Sequence, residues 1–139
     1  MTALAGKWTY RSFHNNPAPV TDSAETAFGL FFAEAEFMLA DVSVGVIGGT
    51  IDWPGGGLDL AGSVTPPIDT SSLTFQIIGK GRVGTGTAGW EYQYHGHLAH
   101  QWPRGVNQIP ALVGTVIRAK PHGAAAAGYV ASFVAVERA

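Results

Sequence analysis

The segment from Trp90 to His97 concentrates the side chains best able to bind a molecule or to move a proton. If this segment is a β-strand, side chains two positions apart share a face. One face then carries Trp90, Tyr92 and Tyr94. The other face carries polar side chains that could act as acids, bases or ligands: Glu91, Gln93, His95 and His97. We expect the aromatic face to point inward as a binding wall, whereas the reverse orientation would give a polar catalytic wall.

His14 and Asn15 lie at the end of the first predicted strand, shortly before Pro17. An imidazole beside amide groups could serve as a general base with a donor for a developing oxyanion. The amides equally suit a simple turn before proline. His14 is therefore a candidate base, Asn15 a candidate orienting group, and Tyr92 or Tyr94 the candidate acid.

Two histidines also have the spacing of a metal site. His95 and His97 share a strand face, and His100 could supply a third ligand. Histidines that are exposed or hydrogen-bonded within the protein are commoner than metal ligands. We therefore predict neither a metal ion nor a cofactor.

Glu34 and Glu36 share a face of the second predicted strand. Two neighbouring carboxylates could differ in pKa and act as an acid and a base. We favour a solvated outer face for both. The apolar neighbours that would then point inward are Phe31, Ala33, Ala35 and Phe37.

Trp102 lies in a polar connection, Gln101–Gln108, that contains a proline and a glycine. Such a loop could form a lid over a binding site, because loops often carry function. The tryptophan could equally anchor a contact between subunits. Both interpretations stay open at this point.

Nineteen glycines and eight prolines divide the 139 residues into short apolar segments, a pattern typical of many short strands joined by turns. One helical turn, with Asp22 or Ser23 as its cap, is expected within Asp22–Phe28. Eight strands with short connections predict a single all-β domain over residues 1–139, an antiparallel up-and-down β-barrel, with an open sandwich as the alternative. The predicted strands are Leu4–His14, Ala27–Asp41, Ser43–Trp53, Leu58–Val64, Leu73–Arg82, Gly89–His97, Ala111–Lys120 and Gly128–Arg138.

The composition excludes several classes of function. Hydrophobic residues make up 46% of the sequence, charged residues only 13%, and the net charge is −2. The scattered Lys and Arg residues do not form a nucleic-acid surface, and the absence of cysteine excludes disulfides and thiolate chemistry. No apolar run approaches a membrane span and no signal peptide is recognised, so we expect a cytoplasmic protein without membrane contact. The low charge predicts a surface partly hidden in a homo-oligomer.

The two ends of the sequence resemble those of a known superfamily. Gly6–Trp8 is a Gly-x-Trp at the start, Val136–Arg138 ends the last strand, and Leu112–Thr115 is similar to the penultimate strand of avidins. In these features the chain resembles the calycins, the superfamily of lipocalins and avidins. The resemblance implies that Trp8 crosses the closed end, that Arg138 packs over it, and that a cup holds a small, mostly apolar molecule. The biotin-contacting residues of avidins are not matched, so the resemblance does not imply biotin.

Alternation along the terminal strands predicts the lining of such a cup. If Trp8 points inward, Tyr10, Ser12 and His14 do so too. The same rule applied to Arg138 predicts an inward set of Val136, Val134, Ser132 and Val130.

We therefore predict a barrel that binds a small hydrophobic or aromatic molecule, because aromatic faces with a few polar groups suit such ligands. The predicted ligand-binding residues are Tyr10, His14, Asn15, Trp90, Tyr92, Tyr94 and Trp102. The alternative is a cofactor-independent acid–base enzyme (an isomerase, cyclase or hydratase) that uses His14, Tyr92 and Tyr94 in the same cavity. A third class is a subunit of a structural assembly.

Overall fold

The structure is a computed structural model and describes residues 4–65 and 73–139. Eight strands form a closed antiparallel barrel in which each strand pairs with its sequence neighbour and the last pairs with the first. The prediction of an all-β, eight-stranded up-and-down barrel is confirmed. The elements in chain order are β1 (Gly6–His14), α1 (Ala24–Gly29), β2 (Phe31–Ser43), β3 (Val46–Trp53), β4 (Gly56–Thr65), β5 (Thr74–Gly81), β6 (Glu91–Leu98), β7 (Ala111–Arg118) and β8 (Val130–Glu137).

The second strand begins later than predicted because the helix occupies part of its expected range. The Ser23 hydroxyl accepts a hydrogen bond from the Thr26 amide at 3.1 Å, as an N-cap does. α1 then runs to Gly29, so β2 starts at Phe31 rather than Ala27. No helix in the described segments is long and apolar enough to cross a membrane.

β1 follows the predicted alternation. Trp8, Tyr10 and Ser12 are buried, and the Trp8 side chain is 0% exposed. Its indole N–H donates to the Leu4 carbonyl at 2.9 Å, which satisfies the polar atom of an otherwise apolar side chain. Trp8 lies toward the end of the barrel opposite His14 and fills the interior there.

The middle of the barrel is filled by aromatic rings from several strands. The Tyr10 ring lies 5.0 Å from the Phe37 ring and 5.4 Å from the Phe133 ring, and the Phe37 ring lies 5.4 Å from the Tyr94 ring. Two of these three contacts are edge-on and one is tilted, and offset or edge-on geometries are the favourable ones for aromatic pairs. This cluster separates the end that contains Trp8 from the end that contains His14.

The predicted inward set of β8 is wrong. The buried residues are Ala131, Phe133 and Ala135, whereas Val134 is 38% exposed. The guanidinium of Arg138 pairs with the Glu36 carboxylate on the outside of the barrel and is half exposed, rather than covering Trp8. The prediction placed Arg138 inside, and because alternate residues of a strand share a face, it placed the wrong face of β8 inside. The residues that belong to the outer face are Val136, Val134, Ser132 and Val130.

A bulge changes the predicted inward set of β2. Ser12 is opposite Ala33, but Phe13 is opposite Phe31, so Phe32 is an extra residue between them. As a result Phe31 is 40% exposed, and Phe32 packs against the core instead. Phe37 is buried as predicted, and Glu34 and Glu36 pair on the outside with Arg11 and Arg138.

β6 and β7 approach each other closely through two glycines. Gly96 is directly opposite Gly114. A Cβ on Gly114 would overlap the His95 carbonyl oxygen and lie 2.6 Å from the Gly96 Cα. A Cβ on Gly96 would lie 2.9 Å from the tip of the Phe75 ring. The missing side chains therefore make room for both the strand pairing and a core aromatic.

Candidate functional site

A cavity of about 470 Å³ opens at the end of the barrel where β1, β3 and β7 finish and β6 begins. This volume lies within the range of small-molecule pockets. Its deeper part is lined by Tyr10 and Tyr94, with Ile51, Leu58 and Val116 among the walls. These side chains reach it because each is an inward position of its strand. The site is therefore a concave, mostly apolar cup built on rigid strands.

Stacked aromatic rings line one side of the mouth. The Trp90 ring lies 3.7 Å from the His122 ring at an interplanar angle of 10°, and 6.2 Å from the Trp53 ring at 21°. Trp53 is the last residue of β3, Trp90 directly precedes β6, and His122 belongs to the β7–β8 connection. Three separate segments thus present flat surfaces at one point, which suits a flat ligand.

A polar chain of three side chains lies beside this stack. Arg118 Nε donates to the Tyr92 hydroxyl at 3.0 Å, and that hydroxyl lies 2.9 Å from His122 Nε2. Arginine can only donate, so the Tyr92 oxygen accepts from it and its own proton is available for the histidine nitrogen. Burial, followed by the nearby Arg118 charge, lowers the pKa of His122, which favours the neutral acceptor form.

Arg118 is surrounded by aromatic faces. Its guanidinium carbon lies 5.7 Å from the Phe32 and Tyr92 ring centroids and 5.3 Å from that of Tyr129. Its Nη1 also donates to the Ala126 carbonyl at 3.1 Å. Within residues 4–65 and 73–139 no carboxylate lies within ion-pair distance of this side chain. The mouth therefore carries a positive charge balanced by rings rather than by an acid.

The deep tyrosines stay protonated at neutral pH. Burial raises the pKa of Tyr10 and of Tyr94 above the ordinary value for tyrosine. Both hydroxyls therefore act as neutral hydrogen-bond groups in the cup.

Four of the predicted ligand-binding residues line the cavity together: Tyr10, Trp90, Tyr92 and Tyr94. In β6 the side chains of Tyr92 and Tyr94 are buried, so the aromatic face points inward as predicted. Its polar face points outward, where His95 Nε2 lies 3.2 Å from Gln93 Oε1.

The other three predicted residues lie elsewhere. His14 is at the rim, where its Nδ1 is hydrogen-bonded to the Tyr129 hydroxyl and its ring packs edge-on against Phe32. Asn15 accepts a hydrogen bond from Ser132 at 2.6 Å. Trp102 is 70% exposed in the β6–β7 connection.

The position of Trp102 corrects the expectation of a lid. Connections of an up-and-down barrel alternate between its two ends, so the β6–β7 connection lies at the Trp8 end. The cavity opens at the opposite end. Gln108 bonds the Trp102 backbone and closes this loop on itself.

The sequence reasoning missed Arg118, His122, Trp53 and Phe32. One signal could have found Arg118: in an eight-stranded up-and-down barrel, β1 and β7 end on the same side, so their last residues share a mouth. No comparable pattern marks His122, because it lies in a connection. Among the described residues no three His, Asp or Glu side chains are grouped closely enough to hold a metal ion, including His95, His97 and His100.

No protein-family model, curated protein or solved structure matches this chain.

Proposed function

We propose that this barrel binds a small aromatic or otherwise flat apolar molecule in its cup. The supporting observation is the cavity of about 470 Å³, whose walls are ring faces and aliphatic side chains. Its few polar groups include Arg118, Tyr92 and His122 at the mouth and the hydroxyls of Tyr10 and Tyr94 deeper in the cup. A pocket of this kind gains affinity from apolar burial and orientation from the few polar groups. Trp8 contributes to the proposal only by filling the barrel interior at the far end.

Filling the cup with an added ring should weaken binding. Ala35 lies on the inner face of β2 opposite Tyr10 and lines the cavity. In Ala35→Phe the added ring would occupy ligand space, and we expect the affinity for 2-naphthalenemethanol to fall at least tenfold. Quenching of tryptophan fluorescence measures the affinity, because Trp53 and Trp90 flank the mouth. The substitution Trp102→Phe removes the fluorescence of a tryptophan that lies far from the cavity.

The matched control is Ala40→Phe, which adds the same ring on the same strand at an exposed position. It should bind the naphthalene probe as the unmodified protein does. The proposal would be contradicted if folded Ala35→Phe bound equally well, or if the unmodified protein bound neither this alcohol nor the corresponding carboxylic acid.

A cofactor-independent acid–base enzyme is the second candidate, and one observation favours it. The hydrogen-bonded chain from Arg118 through Tyr92 to His122 borders the cavity. When the Tyr92 oxygen takes a proton from a substrate carbon, the hydroxyl proton of Tyr92 would pass to His122 Nε2, and the reverse transfers would return a proton to the carbon. Bound carbonyl compounds incubated in D₂O would reveal such chemistry by mass spectrometry, since proton removal and return replaces a C–H by C–D. Exchange that is lost in Tyr92→Phe would support the enzyme, and binding without exchange would support the binder.

We also propose that copies of the chain associate through the outer face of β7 and β8. Val113 is opposite Val134 and Ile117 is opposite Val130 on this face, and Val130 and Val134 are exposed in the single chain. A Thr115–Ser132 pair lies between these two apolar pairs on the same face. Exposed apolar side chains on a chain with few charges favour association. We expect sedimentation equilibrium to give a dimer or larger species, and Val134→Lys to shift it toward the monomer; a monomer at micromolar concentration would contradict this.

The calycin relationship is likewise a proposal. The complete burial of Trp8 supports it, and the outward position of Arg138 departs from it. It adds the expectation of a cup-shaped site and does not specify a ligand.

A further inference from the structure

The guanidinium of Arg118 has hydrogen-bonding capacity to spare at the mouth of the cup. Of its five N–H groups, one donates to the Tyr92 hydroxyl and one to the Ala126 carbonyl. Three N–H groups are left for a partner. Glu34, the other charged residue that borders the cavity, has its carboxylate paired with Arg11 at 2.8 Å on the outside of the barrel.

A positive charge held among rings without an acid is costly, because part of its hydration is lost. The ring faces of Phe32, Tyr92 and Tyr129 compensate for some of that loss. A planar carboxylate would compensate more, since its two oxygens match two parallel N–H groups of a guanidinium. Arg118 is thus suited to hold an acid.

The Tyr94 hydroxyl is a second polar group, deeper in the cup. Tyr94 is 3% exposed and lines the cavity, and its hydroxyl has no hydrogen-bond partner in the described part of the chain. Tyr94 follows Tyr92 by two residues on the inner face of β6, and Tyr92 is opposite Arg118. The backbone positions of the two groups are therefore separated by about 7 Å along the strand. A ligand with polar atoms at both ends of one or two fused rings would reach both.

We propose that the ligand is an aromatic monocarboxylic acid that carries a hydroxyl or carbonyl group at its far end. This inference rests on the proposed binding function and adds the class and the orientation of the ligand. The carboxylate binds Arg118 at the mouth, the ring lies along Tyr92 and Tyr94, and the far polar group bonds the Tyr94 hydroxyl. A phosphate ester fits less well, since a dianion beside a single guanidinium would keep an unpaired charge in an apolar cup.

Three naphthalene probes test this assignment by isothermal titration calorimetry. We expect 2-naphthoate to bind at least tenfold more tightly than 2-naphthalenemethanol, because a hydrogen bond to a charged group is typically worth this much. We expect 6-hydroxy-2-naphthoate to bind several-fold more tightly than 2-naphthoate. In Arg118→Gln, 2-naphthoate should no longer bind more tightly than 2-naphthalenemethanol. In Tyr94→Phe, 6-hydroxy-2-naphthoate should no longer bind more tightly than 2-naphthoate.

Lys120→Gln is the matched control, because it removes the same charge two residues away, where the side chain is exposed and paired with Glu91. It should keep the preference for the acid. If the alcohol binds as tightly as the acid, this inference is wrong while the binding function stands. If no probe binds the folded protein, both are wrong. If Arg118→Gln does not fold, the affinities of the unmodified protein for 2-naphthoate and 2-naphthalenemethanol still test the preference for a carboxylate.

Discussion

Replacing Trp8 with alanine should lower the free energy of unfolding by about 3–5 kcal/mol. The side chain is 0% exposed, so its removal leaves a void in the barrel interior and forfeits its contacts there. It also leaves the Leu4 carbonyl without the indole N–H that it accepts at 2.9 Å. Urea unfolding followed by far-ultraviolet circular dichroism measures the change.

Trp102→Ala is the matched control for this loss. It removes the same side chain from an exposed loop, where we expect a change within about 0.5 kcal/mol. Equal unfolding midpoints for the two variants would show that Trp8 does not support the barrel interior.

Adding a single methyl group at Gly114 should be as damaging as removing Trp8. Its Cβ would overlap the His95 carbonyl oxygen and crowd the Gly96 Cα, and both are backbone atoms held by the β6–β7 pairing. Because backbone cannot rotate away as a side chain can, the strands must separate. We expect Gly114→Ala to cost about 3 kcal/mol or more, measured by the same unfolding experiment.

Gly86 offers the comparison, since a Cβ there meets nothing within 4 Å and its φ is not positive. Gly86→Ala should leave stability unchanged or slightly raised, because alanine restricts the unfolded chain. A similar stability for Gly114→Ala and Gly86→Ala would contradict the close approach of β6 and β7.

The sequence predicted the barrel and much of one wall of the cup. Turn residues mark most strand ends, and β1 and β6 carry aromatics at alternate positions, so Tyr10, Tyr92 and Tyr94 were placed inside correctly. β8 has apolar residues at nearly every position, so its pattern alone does not say which face is inward. There the orientation depended on Arg138, which proved to pair with Glu36 outside.

The rest of the mouth depends on geometry that a residue pattern does not carry. Phe32 reaches the interior through a bulge, and a bulge is set by the pairing of two strands rather than by either strand alone. His122 reaches Trp90 because the β7–β8 connection folds back over the mouth, where Gly128 donates to the Arg118 carbonyl at 2.7 Å. Trp102 lies away from the cavity because the β6–β7 connection is at the Trp8 end of the barrel, a position that follows from strand order and not from residue type.

The mouth of the cup also affects the rates at which the proposed ligand would bind and dissociate. Trp8 fills the interior at the far end, so in the described part of the chain a molecule that enters past Trp53, Trp90 and His122 also leaves past them. A change in this ring stack that makes no contact with the bound molecule alters the barrier in both directions equally. Association and dissociation rate constants would then change by the same factor, and their ratio would stay constant. Such a change would alter how long the ligand stays without altering how much of it is bound at equilibrium.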